Sequence, residues 1–363
     1  MKSVTQVTDH WFPDKIGGSC KYAFALAHLL GAHCAMTTLT LRAVPDPAES
    51  ALQLRKCLGK TAILANNLRI WRFLRQNPQD CLVIHSPLAF CYAALPAWLT
   101  RTPLVAIFHG PWGHEAAHKY RNAGGVRAAI LARLTPVLTW VERRWLRASG
   151  AVVFLSAYMQ GRATDLHGAH GNAHILPFWT GRAIAPRPAR DHAPPYHLLV
   201  LRRLEYRMGI QDLLAVLADA PAGTRLTIIG SGTYEGALRD QVAALGLHDR
   251  VTFAGRVDED EKLRLMQTAD FMILPSADLE GFGIVVLEAL EAGLPVICRA
   301  GVGFLDFHNP AMAGAIFRYD RDAELLALLG AGQRVAIAPA AFAAFHPDTI
   351  AQSFMAIIAG AGR

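Results

Sequence analysis

Short apolar runs alternate with amphipathic stretches along this chain, halt at a proline-rich break, and then begin to alternate again. In the first half SVTQVT, HCAMTTLTL, CLVIHS, PLVAIFH and AVVFLS read as buried strands. KYAFALAHLL, TAILANNLRIWRFLRQ and VRAAILARLTPVLTWVERRWLRAS carry helical spacing between them. After the break, HLLVLRR, RLTIIGSG, RVTFAGR, FMILPS and LPVICRA are the strands. IQDLLAVLAD, TYEGALRDQVAALG, DEDEKLRLMQTA and FGIVVLEALEAG are the helices. Strand–helix alternation demands a parallel sheet with helices on both faces. The chain therefore reads as two α/β domains, residues 1–178 and 197–345. A linker over 179–196 carries Pro186, Pro188, Pro194 and Pro195. Residues 346–363 form a final helix, free to pack back on the first domain.

Composition narrows the class. Of 363 residues, 52% are apolar and 18% charged, which excludes a disordered chain. No apolar run reaches the roughly 18 residues that a membrane span requires. The start, MKSVTQVTDHWFPDKIGG, has no signal-peptide pattern, so a cytoplasmic location is expected. The six cysteines are scattered without a CxxC pair and read as small core residues in a reducing compartment. Charge is divided unevenly: residues 1–150 hold 18 Lys+Arg against 7 Asp+Glu, the remainder 18 against 22. Lys119, Arg121, Arg127, Arg133, Arg143, Arg144 and Arg147, with Trp140 and Trp145, form a basic, aromatic stretch. It suits an anionic membrane surface or a lipid-diphosphate acceptor, and equally an ordinary helix with solvated arginines. Pro136 argues against one long membrane-lying helix. No nucleic-acid module accompanies the basic residues.

The richest stretch is Glu280-Gly-Phe-Gly-Ile-Val-Val-Leu-Glu288. A strand ends, two glycines follow, and a helix is expected to start near Phe282. Free N–H groups and a positive dipole end there suit a phosphate or sugar hydroxyls. Gly283 lets a ligand approach the backbone, and a carboxylate such as Glu280 or Glu288 accepts from two hydroxyls at once. Arg202, Arg203 and Arg207 follow the first strand of the second half, with Met208 before Gly209. Gly17 and Gly18 precede a helix expected from Ser19, and His109 ends PLVAIFH. Gly230 opens a glycine turn, GSG, without the GxGxxG spacing or following acidic residue of a dinucleotide site. Asp258-Glu-Asp260 opens a helix, where acidic residues act as caps rather than metal ligands.

Glu-x7-Glu beginning E-G-F-G, after a strand ending in proline and serine, resembles the signature of the family 4 retaining glycosyltransferases of the GT-B fold. That resemblance runs in order from Gly17-Gly18 to Glu288. It implies two Rossmann-like domains facing across a cleft, closing to exclude water. It implies transfer of a hexose from a nucleotide-sugar, with no metal and no cofactor; the sequence does not name the base, and a UDP-sugar is the default on base rates alone, with GDP-mannose next. The acceptor class is a glycan, a lipid-linked or a natural-product molecule, and cell-surface polysaccharide is one destination. By the same resemblance Glu280 and His109 lie beside the donor hexose, and Glu288 binds ribose. Arg203 reaches the diphosphate, and the amides of Phe282, Gly283 and Ile284, with Gly17, Gly18 and Gly230, line the donor. The family's lysine is replaced by Met208 and a glycine by Arg202, so either Arg207 or Arg202 supplies the second cation or the donor phosphate site is weakened. Pro177-Phe-Trp-Thr-Gly181 and Gly301-Val-Gly303 also depart from its turns. Ser156, another landmark, reads as a helix cap. Rival readings are a nucleotide-sugar epimerase on the same fold and a non-catalytic nucleotide-sugar-binding protein. A pyridoxal-phosphate phosphorylase would need a lysine in the second half, where only Lys262 stands.

Overall fold

The computed structural model describes residues 2–8, 18–40, 54–56, 63–116, 133, 135–276 and 280–362. The chain divides into two units, residues 1–178 with 347–363, and residues 179–346. Unit 1 is built on a seven-stranded sheet in the order β3-β2-β1-β4-β5-β6-β7. Its strands are β1 (Ser3–Thr8), β2 (Ala35–Thr40), β3 (Leu54–Lys56), β4 (Cys81–Ile84), β5 (Leu104–Phe108), β6 (Ala151–Phe154) and β7 (Ala173–Ile175). All neighbours run parallel. Every residue of β4, β5 and β6 is buried, as strands covered on both faces must be. The connecting helices are α1 (Gly18–Gly31), α2 (Ile63–Gln76), α3 (Pro87–Thr100), α4 (Thr135–Ala148) and α5 (Ala157–His167). α11 (Pro347–Gly360) belongs to this unit and buries Ile350, Phe354 and Ile358.

The local chemistry explains most of these boundaries. Ser86 caps α3 by accepting from the Ala89 N–H at 3.0 Å, and Pro87 fills the first helical position, where its missing N–H is harmless. Ser156 caps α5 by accepting from Met159 N–H at 3.1 Å. Pro136 sits in the first turn of α4, so it starts that helix rather than breaking it.

Unit 2 has a six-stranded parallel sheet, β11-β10-β9-β12-β13-β14. Its strands are β9 (His197–Leu201), β10 (Arg225–Ile229), β11 (Val251–Gly255), β12 (Phe271–Leu274), β13 (Val296–Arg299) and β14 (Ile316–Tyr319). Its helices are α6 (Ile210–Asp219), α7 (Glu235–Ala244), α8 (Glu259–Thr268), α9 (Ile284–Glu291) and α10 (Asp322–Gly330). Part of the stretch expected as a linker is instead structured. β8 (Arg187–His192) pairs antiparallel with β15 (Gln333–Ile337), and the Tyr196 hydroxyl donates to Ala331 O at 2.7 Å. A two-stranded ribbon needs backbone donors and acceptors more than apolar side chains, so hydropathy does not announce it. Among the described residues, no helix is long and apolar enough to cross a membrane.

In each sheet the order reverses direction once, between β1 and β4 and between β9 and β12. Connections from those strands leave in opposite directions, opening a crevice at the carboxyl ends where open parallel sheets bind ligands. In unit 2 the loop after β9 is wedged beside Gly230, whose φ is +134°. A Cβ at Gly230 would lie 1.8 Å from the carbonyl oxygen of Arg202, so glycine is needed there for packing alone. Gly236 in α7, by contrast, has nothing within 4 Å of an added Cβ. Gly230→Ala should lower unfolding stability by roughly 3 kcal/mol or more. Gly236→Ala should leave it unchanged or raise it by about 0.5 kcal/mol. Urea unfolding of the two variants beside wild type checks both; equal midpoints would refute the close approach.

Candidate functional site

The switch crevice of unit 2 is spanned by one side chain. Arg202, directly after β9, donates from Nη1 to the hydroxyl of Ser276 and from Nη2 to Oε2 of Glu280, both beyond the end of β12. Its side chain is 6% exposed and that of Glu280 20%. A guanidinium this buried needs a full-charge partner, and Glu280 supplies it. Arg202 thus ties Ser276 and Glu280 to the end of β9. Glu280 Oε1 has no partner among the described residues. It keeps lone pairs available for hydroxyl donors.

From Glu280 the chain passes through Gly281 and Phe282 to α9, which begins at Ile284, two residues later than expected. Gly283 caps it with φ +86°, a conformation open to glycine and strained for other residues. A Cβ there would also meet Leu274 Cδ2 at 3.0 Å. Phe282 is buried against Phe304 and Phe345, at ring-centroid separations of 5.6 and 6.1 Å, which pins the loop from below. The loop after β13 clamps it from the side: Gly303 N–H donates to Glu280 O at 3.0 Å and Phe304 N–H to Phe282 O at 2.9 Å. The departure at Gly301-Val-Gly303 is thus part of the clamp. The N–H groups of Phe282, Gly283 and Ile284 stand ahead of the first intrahelical acceptor, where an anion or hydroxyl can meet them.

Glu288 lies one turn into α9, with Lys262 Nζ 3.5 Å from its Oε2 and 2.5 Å from Glu259. Lys262 is a neighbour that sequence reasoning placed merely in a charged helix. Arg203 is exposed and Arg207 half-buried beyond β9, whereas Met208 is buried in the hydrophobic core of the unit. A lysine at 208 in this turn would have to leave that core. Asp258 caps α8 by accepting from Glu261 N–H at 2.8 Å, so its carboxylate already has a structural task.

In unit 1 a buried polar chain occupies the matching crevice. Gln6 on β1 donates from Nε2 to Ala23 O at 3.0 Å and to Thr38 Oγ1 at 2.8 Å. A carbonyl accepts only, so the amide orientation is settled and Gln6 Oε1 is an acceptor. His85, just past β4, lies 2.8 Å from that oxygen through Nε2, which must carry the proton. Burial, then the neighbouring His109, push the His85 pKa well below the usual histidine value, so its Nδ1 is a lone pair. His109 Nε2, 3.2 Å away, must donate to it. His109 is held near pKa 4 by burial and is neutral at pH 7. Its Nδ1 is thereby left as an acceptor. Tyr22 packs edge-on against His109 at 5.2 Å and tilts against Phe178 at 5.7 Å. The sequence reading did not single out Gln6 and His85, the buried partners of His109; polar side chains inside SVTQVT and CLVIHS were the available signal. Gly18 opens α1, and Gly17 lies outside the described residues.

Comparison with known proteins agrees with this fold. Residues 187–329 match the family described as Glycosyl transferases group 1, and residues 16–178 match Glycosyltransferase Family 4. Glycogen synthase from Mycobacterium tuberculosis is 33% identical over 235 residues, 63% of this chain and 52% of that protein. The chain thus spans about half the length of that relative. Phosphatidyl-myo-inositol mannosyltransferase from Mycobacterium leprae is 34% identical over 306 residues, 81% of this chain and 72% of its own. Among solved structures, Anabaena Alr3699/HepE in complex with UDP superposes with TM-score 0.71 at 16% identity. That match covers 99% of this chain and 100% of the Anabaena chain.

The histidine pair has a pH signature. An unfolded histidine titrates near 6.5, so between about pH 6.5 and 4 the unfolded chain binds protons that folded His109 refuses. Stability should be full above that window and fall as pH drops through it. The slope should shrink in His109→Gln, measured by urea unfolding against pH. Nitrogen NMR of the wild type should show His109 protonated at Nε2; the Nδ1–H form would overturn the relay.

Proposed function

The chain belongs to the family 4 glycosyltransferases, on the GT-B fold, and from that premise we propose that it is a retaining, metal-independent hexosyltransferase. It takes a hexose from a nucleotide-sugar and delivers it to a glycan, a lipid-linked molecule or a natural product. The observation that carries the reading is Glu280 held by Arg202 at the β9–β12 switch point, directly ahead of the Gly283–Ile284 amides. A carboxylate with one engaged and one available oxygen suits sugar hydroxyls. Helix-start amides suit a diphosphate. The UDP bound by Alr3699/HepE supports a UDP-sugar as first choice, and a GDP-mannose-dependent mannosyltransferase of Mycobacterium tuberculosis, 33% identical over 183 residues, keeps GDP-mannose next.

In this mechanism the bond between the anomeric carbon and the leaving phosphate oxygen breaks on the face where the acceptor oxygen attaches. The acceptor proton passes to the departing diphosphate. Arg203, Arg207 and the amides of Phe282, Gly283 and Ile284 stabilise that diphosphate, taking the charge a metal ion would otherwise neutralise. Glu280 and Glu288 hold hexose and ribose hydroxyls, and His109 Nδ1 accepts from a sugar hydroxyl. Gly17, Gly18 and Gly230 bring backbone near the donor. Action at the cytoplasmic face of a membrane, in cell-surface polysaccharide synthesis, is part of the same proposal.

Buried Met208 and committed Arg202 favour one rival, a nucleotide-sugar-binding protein without turnover. A single panel separates the two. A nucleotide diphosphate at about 100 times its dissociation constant should stabilise the protein by roughly 2.7 kcal/mol, read as a raised Tm in EDTA. Glu280→Gln, which keeps an acceptor for Arg202, should retain that shift while transfer falls about 100-fold or more. Glu280→Ala should fall furthest, because it also strands Arg202. No shift with any nucleotide would sink the transferase, and a shift with no transfer to any acceptor would leave the binding protein.

A further inference from the structure

Eight of the eleven described exposed large apolar side chains lie on three helices of unit 1. α2, α3 and α4 follow β3, β4 and β5 and step the same way across the sheet, so right-handed crossovers set them on one face; α1 steps the other way. α2 packs on α3, and α3 on α4. Each carries an outward stripe at helical spacing. On α2 it is Leu64, Leu68, Arg72 and Arg75, with Arg75 over the Trp71 ring at 5.0 Å. On α3 it is Leu95, Trp98 and Leu99, with Trp98 72% exposed. On α4 it is Val137, Trp140 and Arg144, with Trp140 62% exposed. A groove of about 450 Å³ between the carboxyl ends of α2 and α3 is lined by Trp71, Leu74, Arg75 and Leu99.

Among the described residues of these three helices, no exposed position carries a carboxylate. The described residues of the three helices contain one, Glu142, which is buried, 3.1 Å from His167 and accepting from Trp112 N–H at 2.8 Å. Trp145, expected on the docking surface, is buried beside it, and Lys119, Arg121 and Arg127 lie outside the described residues. Leucines and tryptophans interleaved with uncompensated arginines match the boundary of an anionic bilayer, apolar just beneath a negative headgroup layer. A second copy matches poorly, because a two-fold contact would set arginine against arginine with no acid between.

We propose that the α2–α3–α4 face of unit 1 docks the protein on an anionic lipid surface. The inference draws only its purpose from the transferase reading, since lipid binding needs no turnover. The test is co-sedimentation of the full chain with vesicles of phosphatidylcholine, alone or mixed with phosphatidylglycerol. Wild type should bind the mixed vesicles and not the neutral ones, and added salt should release it. Arg72→Ser with Arg144→Ser should weaken binding about fivefold per arginine removed. Trp98→Ser with Trp140→Ser should weaken it as well, with Tm and the nucleotide-dependent shift unchanged in both variants. Failure to bind mixed vesicles, equal binding to neutral ones, or variants that bind like wild type would overturn the proposal. So would a wild-type dimer in light scattering that the tryptophan variant makes monomeric, which would give the face to a second copy. The nucleotide shift is read separately, so lipid binding can fail while donor binding stands.

Discussion

A guanidinium removed from water must be answered by a carboxylate, and in unit 2 that requirement organises the crevice. Arg202 reaches from the end of β9 to the segment after β12, the two strands between which the sheet order reverses. Its partner Glu280 becomes part of the framework as well as a candidate ligand. Breaking such a pair costs roughly 3 kcal/mol or more because one charge is stranded. The Glu280–Gly283 segment is therefore held before any ligand arrives. Phe282 below it and the Gly303 and Phe304 amides beside it restrict the same few residues. A loop so constrained can present amides and one carboxylate oxygen without ordering them at binding, which is where preorganised sites gain over flexible ones.

Unit 1 meets the same need with neutral groups. Gln6, His85 and His109 form a chain in which each acceptor determines the next donor, starting from the carbonyl of Ala23. Burial keeps both imidazoles uncharged, so no counter-ion is required. The outcome is a histidine with a defined lone pair at Nδ1. In such a site the imidazole acts as an oriented hydrogen-bond acceptor; as a proton donor near neutral pH it would be poorly matched.

Much of this architecture is legible in the sequence, because parallel strands buried on both faces leave uninterrupted apolar runs such as CLVI and FMIL. α3 was missed for a physical reason: its sequence PLAFCYAALPAWLT is apolar nearly all round, with Pro96 inside, so it shows no helical stripe. β8 escaped because a short ribbon with prolines carries no period-two pattern. At the candidate sites, loop positions were legible: Glu280 and Gly283 lie between β12 and α9, and His109 lies just past β5. Their partners were not. That Arg202 faces Glu280 across 78 positions, or that Gln6 meets His85 across 79, depends on which strands become neighbours.

The identity of residue 208 connects these two levels. In unit 2 the segment after β9 must serve both the core and the crevice within a few residues. Met208 is given to the core, Arg202 to the framework, and Arg203 remains exposed with Arg207 half-buried. A lysine ammonium at 208 would be a compact, strongly hydrated charge on a flexible stem, costly to bring this near a packed interior. An arginine one position earlier keeps its charge in partly exposed surroundings and offers a planar fork that matches phosphate oxygens. Moving the cation from 208 to 207 therefore exchanges a flexible point charge for a directional one while the core gains a methionine. The turn after β9 thus keeps Arg203 and Arg207 outside the packed interior that holds Met208.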